Sequence, residues 1–368
     1  MAGIRHHILP RFLLKGFASR IDGQKVFTWV YRRQGNPFEA STKDISVEKH
    51  FYGKDGELNV DPEITDLEKR YASLIDELRT RDDQTEILGS QVPEFIAHLS
   101  IRTKHLRDSL RDSANFLIEK IDEHFSDFNN VKALIKKNPR ILREKIEKQL
   151  KNYPIPRHQK NHFFYLAYSL APSLLEEHRP ELQMMFQLLI ARIKDMLPSA
   201  LKKGHIKALA KTPVPEPRVE DYRSLRWLIT KSDKSLILGD FGCLFEIEGT
   251  RRFKTLNDKG DQIKSIFLPI SANRMLVGTS LSTVPRIDAD LINQATAKCC
   301  RDFFVSSEPP PQFDTLTLLI GEDSQVITKE ELEQLFAELK DEKITPKDNG
   351  IKKPSSGKRK EKKRKGRR

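Results

Sequence analysis

Hydrophobic and polar positions change their period along the chain. Residues 24–31 (QKVFTWVY) are mostly aromatic and β-branched, a composition that favours a β-strand. The segment 32–37 that follows contains Gly35 and Asn36 and predicts a turn. From Asp61 onward, apolar residues recur three and four positions apart, which is the period of an amphipathic helix. The pattern therefore predicts a strand near the amino terminus and a long helical region after it.

The helical region extends to about residue 211. One helix begins at Asp61 with Pro62 in its first turn, and a second begins near Pro93 and continues toward Phe125. Further helices are predicted over 131–151, 159–171, 180–197 and 199–211. Because residues 184–193 are almost all apolar, we expect this part of its helix to lie deep in the core.

After residue 211 the pattern changes again. Three prolines in 212–218 predict a linker. Apolar runs separated by Asp, Gly and Lys then predict strands over 226–233, 235–249, 263–271 and 315–321. A helix is predicted over 286–301. Thr328 and Glu331 have the spacing of a capping box before a last helix.

These elements predict an α+β fold. We expect a mainly helical body, at about 60–211, joined to a small mixed β-sheet built from N-terminal and C-terminal segments at about 20–58 and 226–322. The expected arrangement is a single domain over residues 1–345, followed by a disordered basic tail at 346–368.

Composition indicates a cytoplasmic protein. No run of about 18 apolar residues is present, so no membrane span is expected. The basic, amphipathic start lacks the long apolar run and cleavage site of a signal peptide. The three cysteines, Cys243, Cys299 and Cys300, form no disulfide framework, and we expect reduced, buried thiols.

Most of the positive charge lies at the carboxyl terminus. The chain has a formal net charge of +13, and residues 350–368 contain eleven Lys or Arg and one acid, Glu361. The rest of the chain is therefore nearly balanced. The tail, densest over Lys358–Arg368, could bind nucleic-acid phosphates through counterion release, or it could be only a solubilising extension.

Two histidines open the chain in an unusual context. His6 and His7 are followed by Pro10 and the apolar Phe12, Leu13 and Leu14, which would tie the terminus to the core. A histidine held in this way can serve as a general base, a general acid or a metal ligand. The alternative is a packed structural histidine that donates one N–H to a backbone carbonyl.

Other polar residues also occupy notable positions. Glu94, His98 and Arg102 share one helical face, where Arg102 could clamp a phosphate or the three could form a solvated face. Asp240 follows the apolar run 236–238 between two glycines, a position that presents a carboxylate in a cleft or simply ends a strand. Glu68 lies at the edge of a buried helical stripe. No P-loop, Rossmann glycine motif or nucleophile elbow is present, which disfavours those three chemistries.

Several segments, in order, resemble a known family. HHILPRFLLKGFA, DISVEKHFYG, FIAHLSIRTKHLR, FLPISANRMLVG and DLINQATAKCCRDFF are similar to successive blocks of domain of unknown function 4238, over about residues 4–307. Lys104 replaces a common proline after the Arg-Thr pair, and residues 239–242 (GDFG) replace Ser-Asp-Asn-Pro.

The resemblance selects residues but implies no reaction. It marks as recurrent polar positions His6, His7, Glu68, Arg102, Asp240 and Asn293. One hypothesis is a phosphodiester-cleaving nuclease with the role of a defence or toxin effector. In it Glu68 and Asp240 would bind Mg²⁺ or Mn²⁺, His7 would be a base or a further metal ligand, and Arg102 would steady the phosphate. The other hypothesis is a non-enzymatic module that binds nucleic acid or protein through the tail, with these residues forming a polar core network.

Overall fold

Helices and antiparallel sheets share this chain, with about 52% of the described residues in helices and 18% in strands. The computed structural model describes residues 5–53, 57–137, 139–249, 251–282 and 287–341. The α+β class is therefore confirmed, whereas the predicted basic tail at 346–368 lies outside the described residues. No helix in the described part of the chain is both long and apolar enough to cross a membrane.

The helices follow the predicted order with changed boundaries. Those in the described ranges are α1 (Arg11–Leu14), α2 (Asp61–Leu78), α3 (Gln91–Ile101), α4 (Lys104–Ser126), α5 (Phe128–Lys137), α6 (Pro139–Leu150), α7 (Lys160–Glu177), α8 (Arg179–Lys211), α9 (Glu216–Arg223), α10 (Ala289–Cys299) and α11 (Lys329–Asp341). The capping box is confirmed, since the backbone N–H of Thr328 donates to Glu331 Oε2 and that of Glu331 donates to Thr328 Oγ1. The proline-rich linker is shorter than predicted, because α9 begins at Glu216.

The helix expected from Pro93 toward Phe125 is divided in two. α3 ends at Ile101 and α4 begins at Lys104, with Arg102 and Thr103 between them. The Thr103 hydroxyl accepts the backbone N–H of Leu106 at 3.2 Å. An N-cap residue makes this bond at the start of a helix. The identity of residue 103 therefore favours the start of a new helix at this point.

Helix α8 corrects two predictions. It runs unbroken through Pro198, where two helices were expected. The apolar segment 184–193 is not deep in the core: Met184, Met185 and Leu188 are 60–63% exposed, and only Ile190 is buried, at 5%. The error arises because apolar composition alone does not say which side of a helix has a partner to pack against.

The strands form three antiparallel sheets instead of the predicted single mixed sheet. They are β1 (Arg5–His7), β2 (Arg20–Asp22), β3 (Lys25–Arg32), β4 (Phe38–Ser41), β5 (Val47–Lys49), β6 (Glu86–Ile87), β7 (Arg226–Lys231), β8 (Leu238–Gly239), β9 (Leu244–Ile247), β10 (Phe253–Lys254), β11 (Ile263–Ser271), β12 (Arg274–Thr279) and β13 (Phe303–Ser306). Short connections between neighbours favour antiparallel pairing, because parallel pairing needs a long crossover. The strand predicted at 315–321 is instead a 3-10 helix over Asp314–Leu319, in which Thr317 Oγ1 donates to the carbonyl of Asp314.

Strand order brings the two ends of the chain together. The sheets have the orders β1-β5, β10-β9-β11-β12-β7-β6 and β2-β3-β13-β8, with β4 also on β3. In the third sheet Val30 of β3 pairs with Val305 of β13, and Val305 pairs with Leu238 of β8. The prediction that N-terminal and C-terminal segments build a sheet together is confirmed for this sheet.

The described residues form two compact units. The first comprises 5–120 and 186–332, contains all three sheets, and has a large core in which α3 and α10 pack with the six-stranded sheet. A smaller core cluster beside it contains Ile8, Phe51, Tyr52, Ile64 and Leu209. The second unit comprises 121–185 and 333–341 and is helical. Every candidate residue named above that could carry chemistry lies in the first unit.

Candidate functional site

A fully buried arginine organises one group of the candidate residues. Arg102 has 0% exposure, and its Nη2 lies 2.6 Å from Glu68 Oε1. Its Nε donates to Tyr52 Oη at 2.9 Å, and its Nη2 donates to the carbonyl of His7 at 2.9 Å. Nη1 lies 3.3 Å from His98 Nε2. We call these five residues the arginine cluster.

The charge of Arg102 is compensated where it lies. Burial alone lowers the pKa of the guanidinium, but Tyr52 and Glu68 raise it more, so the group keeps its charge. Each of its three nitrogens has a partner in the protein. A guanidinium already used in this way has no donor pair left to clamp a phosphate.

His98 is the neutral member of the arginine cluster. Its Nδ1 lies 2.8 Å from the carbonyl of Pro213, so Nδ1 carries the proton and donates it. Nε2 is then free to accept from Arg102. Burial and then the charge of Arg102 lower the pKa of His98 to about 3. Of the residues on the predicted face of α3, His98 and Arg102 therefore form a buried network and not a solvated face.

The two amino-terminal histidines anchor β1 to the loop around Tyr52. His6 is buried, its Nδ1 accepts the backbone N–H of Tyr52 at 2.8 Å, and its ring stacks on the Tyr52 ring at 5.3 Å. The carbonyl of His7 accepts from both Arg102 and the Tyr52 hydroxyl. Burial is the largest influence on the His7 ring and lowers its pKa.

Asp240 belongs to a different part of the first unit. It lies in the turn after β8, where its Oδ2 accepts the backbone N–H of Asp302 at 2.6 Å and those of Arg301 and Phe303 at 3.2 Å. Its Oδ1 shares only the Arg301 N–H, at 3.2 Å. Burial raises the pKa of Asp240 to about 6, although the three N–H groups act to lower it. A carboxyl with this pKa exchanges its proton near neutral pH.

Asp240 lines a cavity of about 860 Å³. We call it the Asp240 pocket. Its wall is built from the end of β3, β4, the segment 44–48, the start of α4 and the segment 301–303. The ionisable side chains that line it are Arg32, Arg33, Asp44, Glu48, Lys104, His105, Asp240, Arg301 and Asp302. Neighbouring His105 has its Nε2 3.2 Å from Thr255 Oγ1, and burial, then Arg301, lowers its pKa to about 4.

Of the six positions selected by sequence, only Asp240 lines this pocket. His6, His7, Glu68 and Arg102 meet around Tyr52, as described above. Asn293 lies elsewhere: its Nδ2 donates to the carbonyl of Ser235, and its Oδ1 accepts the N–H of Ile237. Both bonds hold the segment that leads into β8. The six residues thus lie in three separate places: around Tyr52, in the wall of the Asp240 pocket, and against the segment that leads into β8.

The metal hypothesis required His7, Glu68 and Asp240 to converge. Glu68 faces Arg102, and Asp240 faces the backbone of 301–303. Within the described ranges, no group of three or more His, Cys, Asp or Glu side chains is placed to hold a metal ion. The geometry thus does not assemble this ligand set.

Comparison with known proteins confirms the family resemblance. The family model described as protein of unknown function DUF4238 matches residues 5–310. This chain belongs to the DUF4238 family. No curated protein and no solved structure matches it. Membership therefore selects no reaction for this DUF4238 chain.

Sequence reasoning missed most residues of the pocket in this DUF4238 protein. The sequence pattern places Arg32 and Arg33 in a turn and gives no signal at Arg301 or Asp302. The available signal was a pair of arginines directly after a strand and before a Gly-Asn-Pro turn. Binding residues often lie on the loops that connect strands, and a cluster of cations there favours an anionic ligand.

Proposed function

We propose that the Asp240 pocket is an active site that hydrolyses a phosphoester, with Asp240 as the general base. The observation that carries this proposal is a buried carboxyl of pKa about 6 in the wall of a cavity of about 860 Å³. Strongly shifted carboxyls in clefts are candidates for acid–base catalysis. Pockets of about 300–1,000 Å³ are typical of small-molecule sites.

The role of each oxygen of Asp240 follows from its hydrogen bonds. Oδ2 is fixed by three backbone N–H groups, whereas Oδ1 shares one N–H and keeps a lone pair for water. In the proposed step, Oδ1 removes a proton from the water that attacks phosphorus. The ester P–O bond breaks, and the leaving alkoxide takes a proton from solvent. Arg32 and Arg33 supply positive charge for the phosphate.

The proposal predicts a defined pH profile. Since a general base must be ionised, kcat/KM should rise with pH and reach a plateau, with a midpoint near 6. Turnover should be measured between pH 4.5 and 8 on p-nitrophenyl phosphate, bis-p-nitrophenyl phosphate, RNA and DNA. Absence of turnover on all four substrates, or a profile flat through pH 6, contradicts the proposal.

Matched variants separate chemistry from folding. Asp240→Asn should lower kcat by at least about a hundredfold, the usual contribution of acid–base catalysis. The control is Asp44→Asn, the same change at an exposed lining carboxylate that pairs with Arg5. It should retain activity within about twofold. Circular dichroism must show that both variants are folded; if Asp240→Asn is not, the wild-type pH profile alone decides.

The basic tail supports an additional proposal about partners. Residues 350–368 contain eleven cations and one acid, a composition that favours nucleic-acid phosphates. The measurement is binding to single-stranded and duplex DNA and RNA from 50 to 300 mM salt, with and without these residues. A steep salt dependence that disappears on deletion supports the role. Equal binding by both proteins at every salt concentration removes it.

A further inference from the structure

We infer that the ligand of the Asp240 pocket is a nucleotide, whose phosphate binds Arg32 and Arg33 and whose base contacts Phe38. The inference rests on the proposed function, because it names the phosphoester that the pocket accepts. Two observations support it. Arg32 and Arg33 have no carboxylate partner among the described residues of the pocket wall, and the exposed aromatic ring of Phe38 lies beside Arg32.

Two lining cations are already neutralised by the protein. Lys104 Nζ lies 3.1 Å from Asp302 Oδ2, and Arg301 Nη2 lies 2.5 Å from Asp112 Oδ2. Both also approach Asp108, at 3.5 Å and 3.8 Å. Neither cation can pair with a ligand unless it first breaks its ion pair with the protein.

Two lining carboxylates are neutralised in the same way. Asp44 pairs with Arg5 at 2.8 Å. Glu48 lies 3.6 Å from Arg107 and 4.0 Å from Lys202. These acids therefore do not cancel the positive charge of the remaining lining residues. Asp240, held by backbone N–H groups, adds one negative charge when it is ionised, so it offsets part of the charge of Arg32 and Arg33.

Arg32 and Arg33 are the cations that remain. Both are exposed, and within the part of the chain that the structure describes neither lies within ion-pair distance of a carboxylate. They are consecutive, with Arg32 ending β3, and both line the pocket. Two unpaired guanidiniums match a phosphomonoester, which carries a charge of about −1.5 to −2 at pH 7. Guanidinium also binds phosphate oxygens in pairs.

Phe38 adds the second part of the recognition. It is 39% exposed although it is a large apolar side chain, and it lines the pocket on β4. The guanidinium carbon of Arg32 lies 5.1 Å from the centre of its ring. An exposed ring with an arginine beside it is the kind of surface on which nucleic-acid bases stack. A phosphate without a ring would leave this surface unused.

The test measures binding and does not depend on turnover. Isothermal titration of the full-length protein should use adenosine 5′-monophosphate, adenosine and inorganic phosphate as probes. We expect the monophosphate to bind at least about tenfold more tightly than either part alone, since stacking and phosphate contacts add. Affinity for adenosine equal to that for the monophosphate, or no measurable binding of the monophosphate at millimolar concentration, overturns the inference.

Two variants assign the two halves of the ligand. Arg33→Gln should weaken binding of the monophosphate and of phosphate at least about tenfold. Phe38→Leu should weaken the monophosphate about tenfold and leave phosphate within twofold. The control is Arg20→Gln on β2, where the arginine pairs with Glu39 at 2.7 Å and does not line the pocket. It should change neither affinity. Unchanged affinity in Arg33→Gln, or equal losses for both probes in Phe38→Leu, contradicts the assignment.

The two proposals fail in different ways. Phosphoester turnover that depends on Asp240, without binding of the monophosphate, leaves the proposed function standing and rejects the nucleotide. Binding of the monophosphate that depends on Arg33, without turnover of any phosphoester, supports the nucleotide as ligand and rejects the proposed hydrolysis.

Discussion

The guanidinium of Arg102 lies 2.6 Å from the carboxylate of Glu68, although no part of the arginine side chain is exposed to solvent. The same guanidinium also bonds to the Tyr52 hydroxyl and the His7 carbonyl. One side chain at the junction of α3 and α4 therefore joins α2, β1 and the segment before α2. Its role is to hold these elements together.

Replacing Arg102 should accordingly reduce stability. Arg102→Lys keeps the charge but loses the planar fork, so several partners lose their donors. We expect the free energy of unfolding to fall by about 3 kcal/mol, the scale for breaking a buried ion pair. Urea denaturation measures it. In the control, Arg111→Lys, the arginine is 38% exposed beside Asp108, and the change should stay below about 1 kcal/mol. If both variants lose similarly little free energy of unfolding, Arg102 does not hold these elements together.

Buried histidines should make the fold sensitive to acid. The pKa values of His98, His105 and His205 are lowered to about 3, 4 and 4, chiefly by burial. Between about pH 4 and 6.5 these groups are neutral in the folded state and protonated in the unfolded state. Unfolding then takes up protons, so stability falls as the pH falls.

Asp240 acts in the opposite direction. Its folded pKa of about 6 lies above the ordinary value, so the folded state holds one proton that the unfolded state releases between about pH 4 and 6. The sum of the four groups is an uptake of about two protons on unfolding at pH 5. We expect a slope of roughly 3 kcal/mol per pH unit there. Urea denaturation at pH 5, 6 and 7 measures this slope, and equal stability at all three values contradicts it.

Two glycines should respond in opposite ways to alanine. Gly242 has a φ of +86°, and a Cβ there would lie 3.0 Å from Leu99 Cδ2, so Gly242→Ala should cost about 1–2 kcal/mol. Gly204 lies within α8 with open space around it, so Gly204→Ala should gain about 0.5–1 kcal/mol. Thermal unfolding of the two variants provides the comparison. The same sign for both would contradict the backbone argument.

Neighbouring apolar residues of α8 should differ sharply in their contribution. Ile190 is 5% exposed and Leu188 is 63% exposed. Ile190→Ala should cost about 2–5 kcal/mol through lost burial and a cavity. Leu188→Ala truncates a side chain of similar size that is already exposed to solvent, so it should lower the free energy of unfolding by less than about 0.5 kcal/mol. Chemical denaturation distinguishes them, and equal losses would restore the expectation that the whole segment lies in the core.

Local sequence patterns determined much of this protein by themselves. Apolar periodicity located α2, aromatic and β-branched composition located β3, and the capping box at Thr328 predicted the start of α11, because these signals act between residues a few positions apart. The ordered blocks also predicted the family to which the chain belongs. The break between α3 and α4 is equally local, but the sequence pattern predicts one continuous helix there, since a capping threonine after an arginine is a weak signal.

Tertiary structure alone decided which polar residues meet. Asp240 and Arg33 line one pocket although 207 positions separate them, and Arg102 meets Glu68 and not a ligand. It also decided that Met184, Met185 and Leu188 are 60–63% exposed although their segment is apolar. Sequence fixes the type and local spacing of side chains, whereas burial, ion pairing and the pKa of a carboxyl depend on which distant segments pack around them.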